Sequence, residues 1–224
     1  MKLKSSSVIG TTILAASIGL LASGTALAQG APKSQGVYIY GAVGQSRTDL
    51  GKGGLDAALT GVGVTGLSSS VDETDIGYKL LAGYMFNKYL GVEGGWVDLG
   101  KFTYSASFTG PVAGTMKADI KASGFNLAAI GALPISDSFS VFLKVGTIDA
   151  SLKGTATATG SGTSATGSVK DTSWKGNYGI GVMYNFNANL AIRAEWERFA
   201  KLGDKNTTGE GDVDLLSVGL KYAF

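Results

Sequence analysis

Leu216-Ser217-Val218-Gly219-Leu220-Lys221-Tyr222-Ala223-Phe224 decides the fold. Large apolar side chains take every second position (Leu216, Val218, Leu220, Tyr222, Phe224), with Ser217, Gly219, Lys221 and Ala223 between them. A period of two belongs to a strand with one apolar face. The same alternation recurs upstream. Residues 75–86 set Tyr78, Leu80, Ala82, Tyr84 and Phe86 against Lys79, Leu81 and Met85, and residues 90–96 set Leu90, Val92 and Trp96 against Gly91, Glu93 and Gly95. A strand over 117–133 precedes one that places Phe139, Val141, Leu143 and Val145 opposite Ser140, Phe142, Lys144 and Gly146. Two more follow, with Tyr178, Ile180, Val182, Tyr184 and Phe186 on one apolar face and Leu190, Ile192, Ala194 and Trp196 on the other. Residues 36–47 open the series with Val37, Ile39 and Val43 on one face, while Tyr38 and Tyr40 leave its facing open.

Between these strands, short turns at Asn87-Lys88, Pro134-Ile135-Ser136-Asp137 and Asn187-Ala188-Asn189 alternate with long connections over 48–74, 100–118, 153–172 and 200–211. The long segments read as loops, and 153–172 in particular is nearly pure Gly, Ser, Thr and Ala, a solvated composition. Long connections therefore share one rim and short ones the other. That asymmetry predicts an eight-stranded antiparallel transmembrane β-barrel. The three prolines agree, since Pro32, Pro111 and Pro134 fall outside strand interiors, as paired strands require.

Alternation alone does not say which face points outward. Tyr84, Phe86, Tyr184, Phe186, Tyr222 and Phe224 cluster beside the short turns and the chain end, where an interfacial girdle belongs. The opposite face mixes Gly, Ala and Asn with a few acids and bases, which suits a narrow lumen better than a soluble surface. Eight strands leave an interior just wide enough for side chains to fill, and closure pairs every backbone group in hydrocarbon.

Lys2 and Lys4, the apolar run 8–21 and Ala26-Leu27-Ala28 form a three-part export signal, so residues 1–28 read as a signal peptide and 29–224 as the barrel domain. The chain carries 19 Lys+Arg and 17 Asp+Glu; losing Lys2 and Lys4 leaves 17 of each sign, which gives nucleic-acid binding no electrostatic support. There is no Cys and no His. Disulfides, thiolate chemistry and His-dependent catalysis are excluded, along with the commonest metal ligand, and neither a cofactor nor a metal site is expected. Gly61-Val62-Gly63-Val64-Thr65-Gly66 has a dinucleotide-binding spacing but no βαβ context, and reads as loop composition. Asn206-Thr207-Thr208 fits a glycosylation sequon, read as chance. Glu195 and Glu197 lie on one strand face about 7 Å apart by strand rise, and read as lumenal partners of Arg193 and Lys144 rather than as a catalytic pair.

Gly83-Tyr84-Met85-Phe86-Asn87-Lys88-Tyr89-Leu90-Gly91-Val92-Glu93-Gly94-Gly95-Trp96 resembles the second hairpin region of the OmpA-like outer-membrane β-barrel family, and Arg193-Ala194-Glu195-Trp196 resembles that family's Arg-x-Glu-aromatic strand. The resemblance covers nearly the whole mature chain. It implies the outer membrane of a Gram-negative bacterium, with outer-membrane lipid and lipopolysaccharide as surroundings. It also implies that Tyr222 and Phe224 present a closing strand to the barrel assembly machinery, and that Glu93 and Arg193 join an interior ion-pair cluster. The inward candidates are Lys79, Glu93, Lys144, Arg193, Glu195 and Lys221. Where the family carries a lumenal Lys on its fourth strand this chain has Ala128, Ala129 and Ile130, and Met183 stands where the family has a Glu. The chain ends with the barrel, so no peptidoglycan-binding domain is expected.

A structural or surface-interaction barrel whose long loops meet an external ligand or host surface is the leading expectation. A narrow porin-like channel for ions or very small solutes is the alternative, and a noncatalytic lipid or small-ligand binder the third. An enzyme is not expected.

Overall fold

The computed structural model describes residues 35–49, 52–204 and 209–224. The expected leader, Pro32 and the 206–208 sequon lie outside them. In chain order the elements are β1 (Gly36–Thr48), α1 (Lys52–Gly61), β2 (Ser68–Asp72), β3 (Thr74–Met85), β4 (Leu90–Phe108), β5 (Gly114–Pro134), β6 (Phe139–Gly160), β7 (Thr163–Asn185), β8 (Leu190–Asp204) and β9 (Gly209–Ala223).

All neighbouring strands pair antiparallel, and β1 closes the ring by pairing with β3 on one side and β9 on the other, so that Tyr40 lies opposite both Leu81 and Lys221. Eight strands make the barrel. β2 is a ninth, added to the far end of β4 through pairs such as Ser70 with Ser105. The tight turns are built alike: Asn87 Oδ1 accepts from the Tyr89 and Leu90 amides, and Asn187 Oδ1 from the Asn189 and Leu190 amides. These Asn side chains stand in for the backbone groups of a turn.

The apolar face points out. Leu80, Leu143, Val145 and Leu216 are all more than 60% exposed, whereas Lys79, Lys144 and Ser217, their neighbours in the chain, are buried. A girdle closes the short-turn rim, where Tyr84–Phe86, Tyr184–Phe186 and Tyr222–Phe224 form edge-on ring pairs with centroids 5.4, 5.5 and 5.2 Å apart. Ten residues along β7 from Tyr184 stands Trp174, exposed on the same face. At strand rise and typical tilt the two mark a band roughly 25 Å tall, the height of a bilayer's apolar layer.

Four expectations are corrected on the opposite rim. The segment 48–74 holds α1 and β2 rather than a plain loop, and 100–118 is mostly the upper halves of β4 and β5. The segment 153–172 is a paired ribbon, closed by a two-residue turn with Ser161 at φ 50 and Gly162 at φ 77. Two successive positive φ values define the type I′ hairpin turn, which Ser-Gly can adopt. The 200–211 connection likewise shrinks between β8 and β9. Thr favours extended backbone, and hydroxyl pairs lock the ribbon: Thr157 with Thr166 at 3.1 Å and Thr159 with Ser164 at 2.9 Å. Strands β2, β4, β5, β6 and β7 thus continue beyond the apolar band as one tall sheet. β7 pairs with β8 only over 177–185, so among the described residues its 163–176 half is bonded on the β6 side alone.

Candidate functional site

The barrel interior is layered. Nearest the short-turn rim is a vestibule of about 240 Å³ lined by Met85, Lys88, Ala132, Pro134, Met183 and Lys221 among others. The facing of β1 is settled here. Tyr38 and Tyr40 point inward and are buried, because the interior offers them charged partners: the Tyr38 hydroxyl donates to Glu93 Oε1 at 2.9 Å. Gly83 and Gly181 make the room, since a Cβ on the first would strike the Tyr38 ring and one on the second the Phe142 ring.

Above the vestibule sits a closed charge cluster drawn from four strands. Arg193 on β8 binds Glu93 on β4 and Glu195 two residues along its own strand. Its guanidinium is also held between the rings of Tyr40 and Phe142, 4.5 and 4.2 Å from their centroids. Lys79 on β3 bridges Glu195 and Glu197, with 2.8 Å to the latter. Lys144 on β6 binds Glu197 at 3.0 Å and stands 3.6 Å from Glu93. Asn126 and Asn177 donate their amides to Glu197 Oε1 at 3.3 and 2.6 Å. Three acids therefore face three bases, all at most 3% exposed. In a low-dielectric interior such groups persist only when mutually neutralised and hydrogen-bonded.

Five of the six candidate residues meet in this cluster. Lys221 does not: it has no carboxylate partner among the described residues, and its ammonium lies 4.2 Å from the centre of the Tyr38 ring at the vestibule. Glu197, fully buried, takes the sixth place. The period-two pattern that selected Glu195 also marks Glu197. The Glu195–Glu197 pair is spanned by one ammonium, that of Lys79.

The third layer was not anticipated. Beyond the charges, Val97, Leu99, Phe102, Ile148, Ala150, Leu152, Phe199, Leu202, Val213 and Leu215 fill the lumen as an apolar plug, and all are at most 3% exposed. Each large side chain so buried contributes about 1.5–3 kcal/mol relative to exposure. Bulges between Asp98 and Lys101 and between Phe199 and Leu202 shift the register, so Phe102 and Leu202 leave the parity that the other eight share with the charged residues. The inward parity passes from Val97 and Leu99 to Phe102, and from Phe199 to Leu202. Gly100 at φ 82 and Lys201 at φ 54 sit in those bulges.

Outside the band, α1 is tethered to the tall sheet by one carboxylate. Asp56 accepts hydrogen bonds from Ser69 and Tyr104, both at 2.6 Å, and pairs with Lys52 one turn earlier at 3.2 Å. The Ser69 and Tyr104 bonds hold the Asp56 carboxyl below its ordinary pKa.

A closed ring with a lipid-facing apolar band, aromatic rims and a charged interior defines an integral outer-membrane β-barrel protein. Residues 32–224 match the OmpA-like transmembrane domain, and the chain belongs to that family. It is 29% identical to Outer membrane protein A of Yersinia pseudotuberculosis, over 95% of this chain and 55% of that protein. It is 28% identical to Outer membrane protein A of Klebsiella pneumoniae, over 87% and 52%. The chain thus spans about half the length of these curated relatives. Among solved structures, the outer membrane protein OprG of Pseudomonas aeruginosa superposes with a TM-score of 0.51 at 19% identity, covering 86% of this chain and 98% of that one, a likeness of fold. The protein resides in the Gram-negative outer membrane, as these relatives do.

Proposed function

We propose that this barrel is a non-conducting, non-catalytic anchor that holds a tall β-sheet outside the cell, where it meets an external ligand or host surface. The observation that carries the reading is the apolar plug. Ions cross low-dielectric layers at high cost, and Phe199, Leu215, Val97, Leu99 and Ile148 stack across the path above charges that are already paired. The vestibule lies on the short-turn side of those charges. On this reading residues 1–28 are removed on export, and the closing strand through Tyr222 and Phe224 presents the mature chain to the assembly machinery.

Single-channel recording in planar bilayers tests it. The wild-type protein should give no steady conductance, and Phe199→Ala/Leu215→Ala should give openings. A large, stable wild-type conductance overturns the sealed lumen and establishes the narrow channel instead.

A further inference from the structure

The buried charges of the lumen do not balance. Glu93, Glu195 and Glu197 are matched by Lys79, Lys144 and Arg193, and Lys221 is a fourth base, 9% exposed. Among the described residues its ammonium forms no ion pair and no hydrogen bond. What it has is the face of the Tyr38 ring, 4.2 Å away, and the hydroxyl of that ring already donates to Glu93. A ring face offsets only part of the cost of desolvating an ammonium.

A counter-charge can reach Lys221 from the vestibule it lines, since the charge cluster and the plug close the other side. Two further charged residues border that vestibule. Lys88 and Asp137 stand exposed on the turns at its mouth and are opposite in sign, which leaves the net charge to Lys221. Met85, Ala132, Pro134 and Met183 make much of the wall apolar. The Ser140 hydroxyl, on a residue 7% exposed, has no partner among the described residues. The Asn185 amide gives one bond, to the Ser138 carbonyl at 3.3 Å, and keeps a second hydrogen free. A buried cation, two spare donors and apolar walls make a pocket for an anion with an apolar body. Its 240 Å³ is the share of roughly eight waters, room for a small organic anion and too little for a phospholipid.

We propose that the vestibule binds a small carboxylate with a short apolar chain, the carboxylate on Lys221 and the chain along Met85 and Met183. One ammonium, without an arginine fork beside it, suits a singly charged carboxylate better than a phosphate. With the tall sheet outside the cell the short-turn rim opens to the periplasm, and the ligand comes from there. Binding neutralises the lumen and needs no passage through it, so the site stands whether or not the plug is sealed.

Methionine methyl NMR of the full mature protein in lipid nanodiscs, titrated with hexanoate, tests the site. Met85 and Met183 line the vestibule, and Met116 stands near the start of β5 at the opposite rim. Apart from Met1 these are the methionines of the chain, so one sample carries both reporters and a control. Hexanoate should shift the Met85 and Met183 methyl signals saturably and leave Met116 in place. Lys221→Gln should weaken binding ~10-fold or more, the loss of a bond to a charged group. Lys121→Gln, outside the vestibule, should change it less than ~3-fold. Acetate, which lacks the chain, should bind at least ~10-fold more weakly than hexanoate. Equal movement of all three methyls means partition into lipid and overturns the proposal. So does hexanoate binding that survives Lys221→Gln, or acetate binding as tight as that of hexanoate. Should Lys221→Gln fail to fold, Ser140→Asp sets a carboxylate in the same vestibule and should abolish hexanoate binding; undiminished binding to that variant overturns the proposal equally.

Discussion

Replacing Arg193 by Ala removes the one cation that serves both Glu93 and Glu195. Three carboxylates then share Lys79 and Lys144, and the buried cluster carries one uncompensated negative charge. The void falls between the Tyr40 and Phe142 rings, which lose the guanidinium between them. Breaking a buried pair by deleting one partner costs about 3 kcal/mol or more, on the order of a hundredfold in the unfolding equilibrium. The companion variant Arg193→Met/Glu93→Gln restores charge balance at similar volume and should recover roughly half of that loss or more. Urea unfolding in bilayers, followed by the fluorescence of Trp96, Trp174 and Trp196, measures both. A loss below about 1 kcal/mol for Arg193→Ala, or no recovery in the double variant, would mean that water reaches Glu93 and Glu195, and the dry-cluster argument would fail.

Two further outcomes test the rim opposite the short turns. The bonds to Asp56 depress its pKa in the folded state, so the docking of α1 should be fully present above the ordinary carboxyl value of 3.8 and lost as pH falls through the lowered one; amide exchange of α1 should accelerate over that acid window, and Tyr104→Phe should move its onset to higher pH. An epitope inserted between Ser161 and Gly162, at the tip of the β6–β7 ribbon, should be reached by antibody on intact cells, because a hairpin tip tolerates insertion; detection only after permeabilisation would invert the topology.

Where one face meets lipid and the other a packed lumen, contrast between Leu143 and Lys144 or Leu220 and Lys221 writes the period of two plainly, and the ring of eight strands is legible. The signal fades where both faces meet water. Thr157, Thr159, Ser164 and Thr166 carry no apolar contrast, so the upper strands read as loop although their backbones pair throughout. Helix α1, with Gly53, Gly54 and Gly61 at its ends, gives little propensity to notice. Tyr38 and Tyr40 are ambiguous in principle, because a phenol suits a lipid interface and a charged interior alike, and only the proximity of Glu93 decides. Most of the charge cluster was legible as acids and bases of one parity. The plug was legible only in part: Ile148, Leu152, Val213 and Leu215 keep the lumenal parity, but Phe102 and Leu202 lie past bulges that exchange inward and outward positions.

The central claim is that the apolar face meets lipid while its alternate face is sealed inside, and adjacent alanines on β5 test it most directly. Ala128 is 3% exposed in the lumen and Ala129 points outward. The chain has no native cysteine, so Ala128→Cys and Ala129→Cys each introduce a single small probe. In vesicles, a fluorophore on Ala129→Cys should label readily and be quenched by spin-labelled acyl chains, whereas Ala128→Cys should resist labelling until the barrel is unfolded. Lipid quenching at both positions, or at Ala128→Cys alone, would contradict the fold as described.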